Sequence, residues 1–242
     1  QRVARCLLAQ IPPPAPADDG DPLRPAPAAA LPYDYKAGVF DPDWMITGWD
    51  ILGPLDAAQA VAAAKELRLP AQPAFAGRRG TVTVAGAEIG LRNIRIKDIY
   101  RYPPDLMVDP QEDGPAYDPA LVHGGTAGST VWWGCYLLVE RPQTLRVDLG
   151  GAPGGRLWIG GQELRQGQRV RLVRGHHLFV MQTVVDDPAS ARPFRPCLWS
   201  AETPERERAR RQALIAAARP WLEKALAAGA DLPEVRAVLG GK

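Results

Sequence analysis

The sequence predicts a mainly β protein: an antiparallel β-sandwich or jelly roll with an extended Pro/Ala-rich N-terminal arm and a short α-helical C-terminal tail. Short strand-like segments with Gly turns follow one another closely between residues 129 and 185, a spacing typical of sandwiches and jelly rolls. Residues 11–32 are rich in Pro and Ala, and helical periodicity begins near residue 202. We therefore divide the chain into an arm (1–43), a sandwich (44–200) and a helical tail (201–242).

The composition allows a sizeable core and excludes some function classes. The chain has 242 residues, of which 46% are hydrophobic, and its 29 basic and 27 acidic residues give a net charge of +2. A duplex nucleic-acid binder needs a concentrated basic surface, so we expect no nucleic-acid partner. No apolar run approaches the roughly 20 residues that span a bilayer. The chain begins at Gln1 rather than Met. A removed signal peptide would explain this, and we expect a periplasmic or extracellular protein.

The segment "IPPPAPADDGDPLRPAPAAALP" at residues 11–32 is expected to be extended, because Pro fixes φ and removes a backbone donor. Such a segment needs contacts that compensate for the entropy lost when it is ordered. It either lies along a partner as a strap or wraps around its own sandwich. An oxidising compartment would allow a Cys6–Cys197 disulfide, and the alternative is that Cys6, Cys135 and Cys197 are inert thiols. Its low conformational entropy favours the partner. Removal of residues 1–32 is then expected to leave the melting temperature nearly unchanged.

The first regular elements are a helix and a pair of strand-like segments. Residues 56–68 read "DAAQAVAAAKELR", which predicts a helix with Asp56 as its N-cap that ends at Leu69-Pro70. Residues 81–99 switch to a period of two, which predicts strands. Residues 100–128 are rich in loop-forming residues.

The strongest strand signal is "STVWWGCYLLVE" at residues 129–140, which is rich in β-branched and aromatic residues and is followed by Arg141-Pro142. Side chains alternate between the two faces of a strand. Trp133 shares its face with the apolar Cys135, Leu137 and Val139, so it is predicted to lie in the core. Trp132 and Tyr136 share the opposite face, which is either covered by the tail helix through Trp221 or binds a ligand.

The same alternation applies to "TLRVDLG" at residues 144–150. It predicts that Arg146 and Asp148 point outward, with Leu145, Val147 and Leu149 pointing inward. The segments "GRLWIGG", "QRVRLV" and "HHLFVMQTVV" complete the predicted strands.

The tail from residue 202 is predicted to be helical. Thr203-Pro204-Glu205 supplies an N-cap, a Pro in the first turn and an acidic residue. Pro220 either kinks this helix or begins another, and residues 231–241 predict a further short helix. The run "ERERARR" mixes charges of both signs at helical spacing, which is typical of a solvated face. The alternative is that its arginines bind an anionic partner.

An acidic loop offers candidate metal ligands. The stretch "DLMVDPQEDGPAYD" places five carboxylates close together in sequence, and carboxylate oxygens are ligands that Ca²⁺ prefers. The predicted ligands of a structural calcium ion are Asp105, Asp109, Glu112, Asp113 and Asp118. The alternative is a solvated acidic loop without a metal, and we expect no other cofactor.

Two further motifs resemble catalytic or metal sites but lack the required partners. The adjacent His176 and His177 lie on a predicted strand and point to opposite faces, so they cannot chelate one ion together. The stretch "HGGTAG" at residues 123–128 is similar to the oxyanion loop of lipases, but the sequence has no GxSxG nucleophile elbow. We therefore expect no catalytic residues and no enzymatic activity.

Two stretches carry a resemblance to a known family. "WMITGWDILGPL" resembles the opening segment of galactose-binding-like jelly rolls. The stretch from residue 144 to residue 184 is similar to the later strands of that superfamily, and the residues at matching positions are Trp158, Gly161, Leu172, Gly175, Leu178 and Val180. Gly160 replaces the Asn that is usual in the hairpin. The resemblance covers about residues 44–185 and implies a jelly-roll fold, and the family includes carbohydrate-binding modules, appendages of enzymes and protein-docking domains.

Two functions remain open from the sequence. The first is a non-catalytic accessory subunit that docks, through its sandwich and its arm, on a larger extracytoplasmic or membrane-associated complex such as a surface, secretion or energy-conversion assembly. The second is a carbohydrate-binding module that recognises a glycan through exposed aromatic side chains. Aromatic side chains suit both sugar stacking and protein interfaces. The candidate binding residues are Trp132, Tyr136, Trp158 and Trp221.

Overall fold

A computed structural model describes residues 7–8, 11–12, 14, 20–31, 37–39, 42, 46, 48–94, 107–108, 116–188, 191–201, 203–229 and 233–240. The strands are β1 (Gly38–Val39), β2 (Trp49–Leu55), β3 (Thr81–Val84), β4 (Ala87–Ile94), β5 (Met107–Val108), β6 (Ala116–Tyr117), β7 (Ser129–Val139), β8 (Gln143–Asp148), β9 (Arg156–Ile159), β10 (Gln162–Leu164), β11 (Arg169–Leu172), β12 (Gly175–Val185) and β13 (Cys197–Ser200). The helices are α1 (Ala57–Glu66), α2 (Pro119–Val122), α3 (Pro204–Ala227) and α4 (Pro233–Gly240).

The described strands confirm a mainly β fold with the character of a sandwich. The larger sheet has the order β10-β9-β12-β7-β2-β4-β3, and its neighbours are antiparallel, while β1 adds to β7 in parallel. A second sheet has the order β11-β8-β13, and β5 pairs with β6. The longest pairing joins β7 and β12 over their full lengths, from Ser129↔Val185 to Val139↔Gly175. This pair forms the centre of the larger sheet.

The main core lies between the two sheets. Trp133 is fully buried there, as its strand parity predicts, and it packs edge-on against Trp49, Tyr117 and Phe194 with ring centroids 4.8–6.0 Å apart. Residues of the smaller sheet, including Leu145, complete this core. Burial of several large aromatic side chains supplies much of the hydrophobic free energy that stabilises such a fold.

A second core covers the outer face of the larger sheet. Helix α1 begins as predicted, because the Asp56 carboxylate accepts a hydrogen bond from the Gln59 backbone N–H and the Gln59 side chain accepts one from Asp56 in return. The segment after α1 places Phe75 directly over Gly134 of β7, where a Cβ atom would lie 3.2 Å from the Phe75 ring. This glycine therefore lets α1 and its following segment pack closely on the sheet.

The helical tail has a small core of its own. Ala218 and Leu222 of α3 and Val235 of α4 are buried together with Ile11 of the arm. Helix α3 is continuous through Pro220, so the alternative that another helix begins there is wrong, and a kink at Pro220 stays a prediction. The Thr203 side chain caps its first turn by accepting a hydrogen bond from the Arg206 backbone N–H.

Residues 20–31 of the arm lie on the sandwich of the same chain. Leu23 pairs in parallel with Val170 of β11, with the Leu23 N–H donating to the Arg169 carbonyl at 3.0 Å. Further along, the Ala28 N–H donates to the His176 carbonyl at 2.7 Å. For residues 20–31, the expectation of a strap held only by a partner is therefore wrong, because backbone hydrogen bonds attach them to the sandwich.

Candidate functional site

Two of the four predicted binding residues are buried. Trp132 of β7 and Trp158 of β9 are each 5% exposed, and their rings pack against each other with centroids 5.6 Å apart. The Arg156 guanidinium lies 4.9 Å from the centroid of the Trp158 ring and covers it further. Tyr136 is half-buried beside this pair. The expectation that Trp132 and Trp158 are exposed for sugar stacking is therefore wrong.

The cover over this aromatic pair comes from a different part of the chain than the sequence suggested. Trp132 and Trp158 belong to the second core, together with Ala63 and Leu67 at the end of α1 and Phe75 after it. The tail helix contributes none of the residues that make up this core. The interpretation that Trp221 covers the Trp132 face is therefore wrong, because α1 and the segment that follows it occupy that face.

The fourth predicted binding residue, Trp221, is 58% exposed on α3. Its neighbours Ala218 and Leu222 are buried in the tail core, so Trp221 lies beside the buried stripe of the helix. Several apolar residues around that core are only partly buried, namely Leu214, Ile215, Leu226, Val238 and Leu239. The tail therefore presents a large aromatic side chain next to an incompletely covered apolar surface.

The calcium prediction rests mostly on residues outside the described part of the chain. Asp105, Asp109, Glu112 and Asp113 all lie there. Asp118 is described, and its carboxylate accepts a hydrogen bond of 2.8 Å from the Ala120 backbone N–H at the start of α2. Capping a helix accounts for Asp118 without a metal, and the calcium site stays a prediction.

The two adjacent histidines lie on opposite faces of β12. His177 is fully buried, and its Nε2 donates a hydrogen bond of 2.8 Å to the Val173 carbonyl. Burial lowers the pKa of His177 below its ordinary value. His176 is half-buried on the other face and accepts the arm's Ala28 N–H through its backbone carbonyl. The pair therefore does not form a chelating site.

Cys135 and Cys197 are both buried, while Cys6 lies outside the described residues and its pairing stays a prediction.

The histidine of "HGGTAG" belongs to a buried polar network. The Ser129 hydroxyl donates to the Thr126 carbonyl at 2.7 Å, so His123 Nδ1 donates to Ser129 Oγ at 2.8 Å. His123 Nε2 then accepts from the Thr183 hydroxyl at 3.2 Å, and that oxygen accepts from the Trp133 indole N–H at 3.0 Å. These contacts require the neutral His123 tautomer with its proton on Nδ1.

Burial and the nearby Arg92 charge lower the pKa of His123 to about 4. Ser129, His123 and Thr183 are all fully buried, and the Ser129 hydroxyl hydrogen is already used by a backbone carbonyl. A nucleophile and base must be reachable by a substrate. This serine–histidine contact therefore joins the segment between α2 and β7 to the core of the sandwich and does not form an active site.

A buried ion pair in the first turn of α3 was not predicted from the sequence. Arg146 of β8 is only 2% exposed, and its Nε lies 2.5 Å from the Glu207 carboxylate of α3. The alternating pattern predicted that Arg146 points away from the core between the sheets. The side chain does point away from that core, but α3 covers it and buries it. Glu207 belongs to the run "ERERARR", so the interpretation of that run as wholly solvated is wrong at this position. Arg146 and Glu207 are 61 residues apart, and no local pattern reveals their pairing.

Comparisons with known proteins give only partial likenesses. No family model matches the chain, and no curated protein matches it. Among solved structures, a beta-glucosidase from Kluyveromyces marxianus aligns at 10% identity over 39% of this chain, with a TM-score of 0.25. The same enzyme in complex with glucose aligns at 12% identity over 40%, with a TM-score of 0.24. A GH31 alpha-xylosidase from Xanthomonas citri aligns at 15% identity over 48%, with a TM-score of 0.27.

The aligned part of this chain spans 13%, 12% and 13% of those three chains. These likenesses are too partial to assign a family or a function. None of the helices in the described part of the chain is long and apolar enough to cross a membrane.

Proposed function

We propose that this protein is a non-catalytic docking subunit that binds a larger extracytoplasmic or membrane-associated protein assembly through its helical tail. The observation that carries the proposal is the 58% exposure of Trp221 beside the small apolar core of α3 and α4. Tryptophan is enriched among the residues that contribute most to protein–protein affinity. The resemblance to galactose-binding-like jelly rolls agrees with this role, since that family includes docking domains.

The incomplete tail core strengthens the proposal. A helix with an apolar stripe is stable when another element covers that stripe. In α3 and α4 the core contributed by Ala218, Leu222 and Val235 is small, and the apolar residues around it are only partly buried. A partner that covers Trp221 and these neighbours would remove further apolar surface from water, which is favourable by about 25 cal/mol per Å².

The glycan-binding alternative loses its main support. Sugar stacking requires an accessible aromatic face, whereas Trp132 and Trp158 are each 5% exposed. In the described part of the sandwich, the aromatic candidate with partial exposure is Tyr136. The arm also no longer argues for docking at residues 20–31, because those residues are attached to their own sandwich. The helical tail replaces the arm as the proposed docking element.

Photo-crosslinking in the producing organism tests the proposal. A benzoylphenylalanine residue at position 221 is expected to capture a defined protein of a larger assembly. The same residue at Val61, which is 73% exposed on α1, serves as the control and is expected not to capture it. With the captured partner purified, Trp221→Ala is expected to weaken binding by about tenfold or more, since loss of such an anchor costs on the order of 2 kcal/mol.

Three results would contradict the proposal. The first is equal crosslinking at positions 221 and 61, and the second is unchanged partner affinity for Trp221→Ala. The third is a crosslink from position 221 only to a second copy of the same chain, which would assign the tail to self-association. Fractionation of the producing cells tests the location separately, and a purely cytoplasmic protein would overturn the extracytoplasmic part of the proposal.

A further inference from the structure

A cleft of about 270 Å³ lies where the arm, β13 and the first turns of α3 meet. Its lining includes Pro12 of the arm, Trp199 of β13 and a set of arginines from β8 and α3. The volume lies just below the roughly 300–1,000 Å³ of pockets that hold drug-sized ligands, so its occupant is small. The cleft is separate from Trp221, which lies further along α3.

The cleft carries an excess of positive charge. Its lining holds four arginines, Arg146, Arg208, Arg210 and Arg211, against a single carboxylate, Glu207. That carboxylate is already engaged by the Arg146 guanidinium at 2.5 Å. The charges of Arg146 and Glu207 thereby balance each other within the wall of the cleft, and the other charged residues of the lining are the α3 arginines Arg208, Arg210 and Arg211.

Two of these arginines are positioned to bind a ligand. Arg211 is held at one end, where its Nε donates to the Pro12 carbonyl at 3.1 Å; within the described residues, its terminal nitrogens make no hydrogen bond. Arg208 donates to Glu205 at 3.4 Å, but both side chains are mostly exposed, at 66% and 75%. Exposed ion pairs of this kind are weak because water and salt screen them, so a ligand can compete for Arg208.

The remaining walls are apolar. Trp199 is 8% exposed, and its indole N–H already donates to the Asp148 carboxylate at 3.1 Å, so it offers only carbon atoms to the cleft. Pro12 and Pro14 face it from the arm. A planar guanidinium matches the two oxygens of a carboxylate or phosphate, while Trp and Pro surfaces suit a ring or a short apolar chain.

We propose that this cleft is a binding site for a small organic oxyanion, a carboxylate or phosphate attached to an apolar group, held by Arg208 and Arg211. Such a group occurs in free small molecules and at the carboxylate end of a polypeptide. Calorimetric titration of the full chain with phenyl phosphate, and separately with a tetrapeptide that ends in a Phe carboxylate, distinguishes the two sources. The tetrapeptide with an amidated end and phenol serve as probes that lack the anion.

Saturable binding of either anionic probe, with no binding of its neutral counterpart, is the expected result. Binding is expected to weaken with rising salt and to fall about tenfold in Arg211→Ala, because a hydrogen bond between a charged donor and the anion is lost. Arg219→Ala is the matched control, since Arg219 lies on the same helix, is 48% exposed and pairs with Glu223. It removes the same charge away from the cleft.

The outcome also separates the sources, because tighter binding of the tetrapeptide assigns the site to a polypeptide end and tighter binding of phenyl phosphate assigns it to a free small molecule. The proposal is overturned if neither anion binds, or if Arg211→Ala and Arg219→Ala weaken binding equally. Unchanged melting curves for both variants establish that the comparison is made on folded protein.

Discussion

The buried ion pair between Arg146 of β8 and Glu207 of α3 joins the sandwich to its helical tail. The two side chains are 3% and 11% exposed, and the Arg146 guanidinium also donates to the Gly167 carbonyl. Removal of one partner from a buried pair leaves the other charge without compensation in a poorly hydrated site. The pair therefore fixes where α3 begins relative to the smaller sheet.

Replacement of Glu207 by Ala is expected to lower the free energy of unfolding by about 3–5 kcal/mol, because it removes one member of a buried ion pair. Urea denaturation measures the change. Glu205→Ala, on the same turn but 75% exposed, is the control and should change the free energy of unfolding far less, because water screens an exposed ion pair. A double variant, Arg146→Met with Glu207→Leu, is expected to recover much of the loss. Equal effects of the two single glutamate variants would contradict the buried-pair account.

Stability is expected to fall as the pH decreases from about 6.5 to about 4. The folded protein holds His123 neutral down to a pKa of about 4, whereas in the unfolded chain this histidine gains a proton near its ordinary pKa of about 6.5. The unfolded state therefore binds more protons in this window, and protonation favours unfolding. The pKa of His177 is also lowered, which acts in the same direction.

His123→Gln is expected to reduce this slope without abolishing it, because His177 still contributes. Denaturation midpoints measured between pH 4 and pH 7 give the slope, and His176→Gln, which changes a half-buried residue on the other face of β12, is the control. An unchanged slope in His123→Gln would show that the buried network does not control the acid response.

Gly150→Ala is expected to destabilise the protein much more than Gly151→Ala. Both glycines have positive φ, +59° and +80°, but a Cβ on Gly150 would lie 1.8 Å from the Arg195 carbonyl oxygen, while one on Gly151 meets no atom within 4 Å. The second variant costs only backbone strain, on the order of 1 kcal/mol. Thermal melting of both proteins compares the two costs, and equal losses would show that the loop moves to relieve the contact.

Removal of residues 1–31 is expected to lower the melting temperature by roughly 5 °C. Three backbone hydrogen bonds to the sandwich are lost, and each contributes about 1 kcal/mol. The entropy that the arm loses when it is ordered offsets part of this contribution. Those bonds join Leu23 to Arg169 and Arg171, and Ala28 to His176. Leu23→Pro removes one donor and tests the same contact in the full chain. Differential scanning calorimetry that finds no change in either protein would restore the view of the arm as a partner-bound strap.

Trp132→Ala and Trp221→Ala are expected to differ sharply in stability. Truncation of the buried Trp132 leaves a cavity and costs about 3–5 kcal/mol, whereas the exposed Trp221 contributes less than about 1 kcal/mol to the isolated chain. Chemical denaturation distinguishes them. A small loss for Trp132→Ala would return that residue to the list of accessible binding aromatics.

The predictable part of this fold was the part set by short-range patterns. Alternation along β7 correctly placed Trp133 in the core, and the turn chemistry of Asp56 and Thr203 correctly placed the starts of α1 and α3. Both signals act over a few residues, where strand parity or a capping bond determines the outcome.

The features that the sequence did not predict depend on which distant segment covers a given face. The burial of Trp132 follows from the position of α1 and Phe75, and the burial of Arg146 follows from the position of α3. Parity assigns a side chain to one of two faces but carries no information about what lies over that face. The cleft beside Arg211 has the same origin, since it forms where the arm meets α3.

The length of α3 places Trp221 far from the Arg146–Glu207 ion pair that attaches the helix to the sandwich. Trp221 lies 14 residues beyond Glu207, so it is displaced by about 21 Å along the helix axis at 1.5 Å per residue. A rotation of about 10° around the Arg146–Glu207 anchor would carry the indole through about 4 Å. A small change of angle where α3 meets the sandwich would therefore produce a displacement at Trp221 comparable to the spacing between neighbouring side chains.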